Sequence, residues 1–96
     1  MLLKFKDGTT KTCANPLEHR LLRNGISIGW ICTIRILEDM PTSEIDKVLT
    51  LDNISELTFC DESLKELFVI SGYKKIGNVI IRHPGVSSEI EIQLEK

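Results

Sequence analysis

The segment ISIGWICTIRI, residues 26–36, decides the fold class. It places an apolar side chain at every even position: Ile26, Ile28, Trp30, Cys32, Ile34 and Ile36. Most odd positions hold small or polar residues, and alternate residues of a β-strand point to opposite faces. The pattern predicts a strand over residues 26–37 with one apolar face in the core. Trp30 and Cys32 share that register, so we expect both side chains to be buried. Ile31 and Leu37 indicate partial cover of the other face.

Two hairpins are predicted on either side of this strand. Residues 2–13 alternate around Asp7-Gly8, a dipeptide typical of tight hairpin turns. Residues 76–95 form the second hairpin, with its turn at His83-Pro84-Gly85. Asn24-Gly25 is a further turn signal, and it could join a strand at residues 21–23 to the long strand. The stretch at residues 17–22 is compatible with either one helical turn or an irregular loop.

One helix is predicted, over residues 43–50. Ile45, Val48 and Leu49 share one face, and Thr42 or Ser43 is expected to cap the helix N-terminus. Alternation returns at residues 55–60 and predicts another strand. Residues 65–70 combine helical and strand features, and we interpret them as a strand.

These elements predict an α+β fold, mainly antiparallel sheet with about six or seven strands in a sandwich- or barrel-like arrangement, and one short helix near residues 43–50. The 96 residues fit a single domain spanning residues 1–96. Parallel sheet is not favoured, because each parallel connection needs a crossover and only one helix is predicted.

Composition indicates a globular protein of a reducing compartment. Hydrophobic residues make up 42% and charged residues 27%, close to the average for soluble domains. The uncharged stretch at residues 25–34 is far shorter than the ~20 apolar residues that span a bilayer. Charges interrupt the N-terminus before a signal-peptide core could form. Three cysteines do not make a disulfide framework. We therefore expect a cytoplasmic protein without a membrane partner.

No metal or cofactor is expected. The residues that could supply soft ligands are dispersed and include no closely spaced pair: Cys13, Cys32, Cys60, His19 and His83. Residues 24–29 contain two glycines but lead into a strand, whereas a phosphate-binding loop opens a helix. We interpret Asn24-Gly25 as a turn.

No catalytic constellation is evident, and we expect a protein that is not an enzyme. Cys13 or Cys60 beside a histidine leaves an enzyme open as an alternative, but no local signature supports an activated thiol. Three acids share one face of the last predicted strand, namely Glu89, Glu91 and Glu95. We interpret them as a solvated face rather than a catalytic pair.

One candidate contact surface combines an aromatic residue with lysines. Tyr73 precedes Lys74-Lys75, and further lysines lie near the N-terminus; the full set is Lys4, Lys6, Lys11, Tyr73, Lys74 and Lys75. An exposed aromatic among lysines could contact a protein or single-stranded nucleic acid. The favoured interpretation is that Tyr73 closes the edge of the core. The net charge of −2 and the scattered basic residues argue against nucleic acid as the main partner.

The layout resembles that of small proteins encoded in prophages and mobile elements of Gram-positive bacteria. The similar stretches are the opening LKFKDGT at residues 3–9, residues 43–49 followed by 53–58, and the ending from Tyr73-Lys74-Lys75-Ile76 into a hairpin. This resemblance implies a structural or accessory role in phage-like particles and a virion-associated location.

Two functional hypotheses follow. The first is a non-enzymatic structural or protein-interaction module that self-associates or binds a protein partner, because strands can pair edge to edge. The alternative is a small β-barrel that binds single-stranded nucleic acid or another ligand through the Lys/Tyr face.

Overall fold

The computed structural model describes residues 1–82 and 89–96. These residues form eight strands and one helix: β1 (Leu2–Lys4), β2 (Thr10–Thr12), β3 (Leu17–Arg23), β4 (Ile26–Ile36), α1 (Thr42–Val48), β5 (Glu56–Cys60), β6 (Glu66–Ser71), β7 (Lys75–Arg82) and β8 (Glu89–Glu95). The predicted α+β class, mainly antiparallel with one short helix, is confirmed.

The strands form two four-stranded sheets in which all neighbours are antiparallel. The first sheet has the order β2-β1-β5-β6, and the second has the order β3-β4-β8-β7. The two predicted hairpins correspond to β1–β2 and β7–β8. The predicted turn at His83-Pro84-Gly85 lies outside the described residues. The strand count exceeds six or seven because residues 17–23 form a full strand, where the sequence suggested a helical turn or a loop.

The chain passes between the two sheets at a hydrogen-bonded corner. Cys13 forms an isolated bridge with Ile36 at the end of β4. On either side of it, the Ala14 N–H donates to the Arg35 carbonyl at 2.9 Å, and the Leu37 N–H donates to the Thr12 carbonyl at 2.9 Å. The end of β2 therefore meets the end of β4, and this contact holds the two sheets together at one end of the molecule.

A single cluster of buried side chains contains residues from both sheets and the helix. Its members are Leu3, Phe5, Cys13, Cys32, Ile34, Ile36, Ile45, Val48, Ile54, Leu57, Phe59, Tyr73, Ile90, Ile92 and Leu94. The alternation of β8 puts its three apolar residues into this cluster. Phe59 on β5 also stacks on Phe68 of β6, with ring centroids 4.8 Å apart.

The helix begins without a side-chain cap. Pro41 occupies the N-cap position in an extended conformation, and its carbonyl accepts the N–H groups of Glu44 and Ile45. The predicted capping by Thr42 or Ser43 is wrong, because the helix begins at Thr42 and both residues lie inside the first turn. Ile45 and Val48 form the buried face, as predicted.

A buried asparagine connects the end of the helix to the β1–β2 turn. The Asn53 side-chain amide donates to the Val48 carbonyl at 2.8 Å, and its side-chain oxygen accepts the Asp7 N–H at 2.8 Å. The Asn53 carbonyl accepts the Lys6 N–H at 3.1 Å. These three bonds fix the short helix against the first sheet.

The acidic side chains of β8 lie on the outer face of the second sheet, opposite its buried apolar residues, and they are paired. β8 is a central strand, and it lies between the cations of β4 and β7: Glu89 with Arg35 at 2.7 Å, Glu91 with Arg82 at 3.2 Å and Glu95 with Lys75 at 3.4 Å. Hydrogen bonds from Arg35 lower the pKa of Glu89 and raise the pKa of Arg35. The expected acidic face is therefore an outer face, and the strand order adds cationic neighbours on both sides of it.

Candidate functional site

The lysines of the predicted contact surface lie on two different sheets. Lys4, Lys6 and Lys11 lie on or beside β1 and β2, whereas Lys74 and Lys75 lie at the start of β7. Ion pairs occupy three of the five: Lys6 with Asp52, Lys11 with Glu44, and Lys75 with Glu95. The Lys11 side chain is also largely enclosed.

Tyr73 is a core-edge residue. It is only 4% exposed, and its hydroxyl donates a hydrogen bond to Glu18 on β3. Burial and this hydrogen bond raise the pKa of Tyr73 above its usual value. The Lys96 ammonium lies 5.0 Å from the ring centroid. The favoured interpretation of Tyr73 is confirmed, and its ring is not free to stack on a ligand.

All three cysteines are buried and reduced. Burial raises the pKa of Cys13 and of Cys32 to about 11, and the nearby Glu18 charge adds to the effect at Cys32. A thiol with such a pKa carries little thiolate at neutral pH, so burial leaves both Cys13 and Cys32 without the activation of a nucleophile. Within residues 1–82 and 89–96, no three potential ligands converge to hold a metal ion. His83 lies outside those ranges.

The outer half of β4 departs from the sequence prediction. Ile26 is 67% exposed, Ile28 is 48% exposed and Trp30 is 41% exposed, whereas Cys32 and Ile34 are buried. The expectation that Trp30 lies in the core is therefore wrong. The reason is the extent of the neighbouring strand: β8 pairs with β4 only from Ile31 onward, and the Trp30 carbonyl accepts the Lys96 N–H at 3.0 Å. Residues 26–29 are flanked by β3 alone among the described strands.

Residues 20–30 form a protruding hairpin, which we call the distal hairpin. Asn24 and Gly25 both have positive φ (53° and 77°), the geometry of a type I′ turn, so this predicted turn is confirmed. A β-bulge shifts the register between Leu21 and Leu22, opposite Gly29, which has φ 147°. Leu22, 60% exposed, adds to the apolar surface of the tip.

Charge on the distal hairpin is positive. The Arg20 guanidinium lies 5.1 Å from the centroid of the Trp30 ring, so it covers part of the aromatic face. Arg23 is exposed beside the turn, and no acidic residue occurs between His19 and Trp30. The hairpin therefore combines aliphatic side chains with two guanidinium groups.

A cleft at the other end of the molecule has the opposite charge. It measures about 550 Å³ and is lined by Met1, Asp61, Glu62, Ser63 and Leu67; we call it the terminal cleft. The Asp61 carboxylate accepts the Ser63 hydroxyl at 2.7 Å and the N–H groups of Lys65 at 3.0 Å and Ser63 at 2.9 Å, and these bonds lower the pKa of Asp61. These bonds shape the turn between β5 and β6.

Two apolar residues, Met1 and Leu67, line the terminal cleft. Leu67 is half exposed, as is Leu64 on the β5–β6 turn. Leu64 adopts a left-handed conformation (φ 66°), which is uncommon for a side chain of this kind. Glu62 and Glu66 supply exposed negative charge on the same turn and the following strand.

Sequence reasoning missed both surfaces. The sequence signal for the distal hairpin is a difference in strand length. β4 has 11 residues, whereas its neighbour β8 has seven, so part of β4 extends beyond β8. The terminal cleft arises where Met1 meets the β5–β6 turn, a contact between distant parts of the chain for which the sequence carries no local signal.

The helix of the described residues is too short to cross a membrane. Comparison with known proteins gave no assignment: no family model, no curated protein and no solved structure matches the chain.

Proposed function

We propose that this protein is a non-enzymatic structural module that acts through protein–protein contact, as a component or accessory protein of a phage-like particle. The observation that supports this proposal is the exposed apolar surface of the distal hairpin. Ile26, Ile28 and Trp30 are all exposed on the part of β4 that extends beyond its pairing with β8. Exposed apolar surface of this kind is characteristic of interaction sites.

The free strand edge supports the same proposal. A two-stranded ribbon that extends beyond its sheet is marginally stable in water by itself. An interaction partner would stabilise the ribbon by burying Ile26 and Ile28 and by pairing with exposed backbone groups of β4. Burial of one such side chain is worth about 1.5–3 kcal/mol.

A protein partner fits this surface better than single-stranded nucleic acid. Arg20 covers one face of the Trp30 indole, so that face is not open for a base to stack on. Tyr73, the aromatic residue of the alternative hypothesis, is buried.

Sedimentation velocity over a micromolar-to-millimolar concentration range tests the proposal. We expect the wild-type protein to sediment as a concentration-dependent oligomer or with a stable partner, and the double variant Ile26→Ser/Ile28→Ser to remain monomeric and folded. Val79→Ser is the matched control, because Val79 is also exposed but lies on β7. A wild-type protein that stays strictly monomeric, with no partner retained from its native host, would contradict the proposal. So would tight, salt-dependent binding of a single-stranded oligonucleotide at the same hairpin.

A further inference from the structure

We propose that the occupant of the distal hairpin is a second copy of this chain, with the hairpin of one copy docked in the terminal cleft of the next. This inference rests on the proposed function and names the partner and the geometry of the contact. Three observations support it, namely charge, surface chemistry and position.

The two surfaces have complementary charge. The distal hairpin carries Arg20 and Arg23 with no acid between them. The terminal cleft is lined by two acids, Asp61 and Glu62, and Glu62 is exposed. Lys65 and the amino group of Met1 offset part of this negative charge, so the attraction depends on local pairing of arginine with glutamate. Complementary charges of this kind fix register and disfavour wrong pairings.

The two surfaces are also complementary in their apolar parts. The hairpin tip exposes Leu22 and Ile26, and the apolar residues that line the cleft are Met1 and Leu67. The cleft is wide and open, with a volume of about 550 Å³, so a hairpin tip can approach it from solvent. Apolar anchors surrounded by charged pairs are the usual arrangement of a protein interface.

The hairpin and the cleft lie at opposite ends of the molecule. Ile36, at one end of β4, bridges Cys13, whose N–H donates to the Met1 carbonyl at 2.9 Å, and Met1 lines the cleft. Ile26 is at the other end of β4, about 33 Å away at ~3.3 Å per residue. The longest dimension of the molecule is 40 Å.

Contact between two different surfaces at opposite ends makes a heterologous interface. Such an interface produces a ring when the rotation between copies closes, and an open chain when it does not. Each added copy leaves one hairpin and one cleft unoccupied, so assembly continues beyond a dimer.

Charge-swap variants and mixing test the inference by sedimentation velocity. We expect Arg23→Glu and Glu62→Lys each to weaken self-association at least about tenfold, which corresponds to the loss of a contact of about 1.4 kcal/mol. The double variant Arg23→Glu/Glu62→Lys should recover association, because the swapped charges attract again. Lys47→Glu and Asp46→Lys, on the exposed side of α1, are matched controls and should associate like the wild type.

Mixing distinguishes this geometry from a symmetric dimer. Leu22→Ser/Ile26→Ser leaves the cleft intact, and Glu62→Lys/Leu67→Ser leaves the hairpin intact. Each variant alone should be monomeric, and an equimolar mixture should form one-to-one dimers and nothing larger. Far-UV circular dichroism checks that both variants are folded, and Glu62→Lys alone replaces the second variant if Leu67→Ser unfolds it.

The outcomes separate the two proposals. If the wild type self-associates through the hairpin but cleft variants have no effect, or if the mixed variants do not combine, head-to-tail assembly is refuted and the interaction module stands. If the wild type is strictly monomeric, head-to-tail self-assembly is refuted. The proposed function is then also refuted in the form that relies on self-association.

Discussion

Replacing Asn53 with alanine should destabilise the protein by about 2–3 kcal/mol. The substitution removes the side-chain bonds to the Val48 carbonyl and the Asp7 N–H. Each hydrogen bond contributes about 1 kcal/mol net, and leaving a buried partner unsatisfied adds about 1–3 kcal/mol. The Asp7 N–H lies in an exposed turn and can bind water, so most of the extra cost comes from the Val48 carbonyl, in a residue only 4% exposed.

Urea unfolding followed by circular dichroism measures this loss. With a slope of about 1–3 kcal/mol/M for a small domain, a loss of about 2–3 kcal/mol lowers the urea midpoint by about 0.7–3 M. A loss below about 0.5 kcal/mol would refute the reasoning, because it would show that the three-way connection between α1 and the β1–β2 turn carries no net stability.

Asn53→Asp is the matched control, since it keeps the shape and the acceptor for the Asp7 N–H. At neutral pH it places a carboxylate oxygen against the Val48 carbonyl, so it should be at least as destabilising as alanine. Burial and this oxygen–oxygen contact raise the folded-state pKa of the new carboxyl group. The Asn53→Asp variant therefore regains stability as pH falls through that pKa. The difference in unfolding free energy between the variant and the wild type should narrow in acid. A difference that does not change with pH would contradict the assigned donor.

Three further predictions concern the core, the thiols and the acidic strand. Phe59→Ala should lower the free energy of unfolding by about 3–5 kcal/mol, because Phe59 is fully buried and stacked on Phe68. A urea midpoint equal to that of the wild type would contradict its role in the core. Burial raises the pKa of Cys13 and Cys32 to about 11, so both should resist iodoacetamide at pH 8 until the protein is unfolded; rapid labelling of the native protein, read by mass spectrometry, would contradict this. Arg35 lowers the pKa of Glu89, so the stability that Glu89 contributes is present above the usual glutamate pKa of about 4.3 and is lost as pH falls through the lower folded value. Glu89→Gln should therefore reduce stability at pH 7 and make no difference in strong acid, whereas the control Glu56→Gln, at an exposed position of β5, should be neutral at both.

Alternation along the chain predicted the strands whose register is set by burial. Ile90, Ile92 and Leu94 alternate with polar residues and are all buried, and the turn at Asn24-Gly25 has the expected positive φ angles. In contrast, β3 has no alternation, and nearly all of its side chains are exposed. Backbone hydrogen bonds to β4 hold this strand in place. Such bonds do not depend on side-chain type, so a hydrophobic pattern in the sequence does not predict them.

The candidate sites depend on contacts that are remote in sequence. The register of Trp30 predicted correctly that it continues the apolar row of Cys32, but periodicity cannot say how far a neighbouring strand extends. The same limit applies to the acids of β8, because only the order of the second sheet shows that Arg35 and Lys75 flank them. Sequence patterns fix local conformation, and the surfaces are determined by which strands become neighbours.

The strand order also has a consequence for how the chain folds. Each sheet has strands from both halves of the sequence at its centre: Lys4 pairs with Thr58, and Ile36 pairs with Ile90. Closing such long loops costs entropy before the central pairs form, so folding should be slow for a chain of this size. Neither half retains a complete sheet, and we expect no stable fragment. Amide protons at the β1–β5 and β4–β8 pairs should therefore exchange with solvent only by global unfolding, at a common free energy.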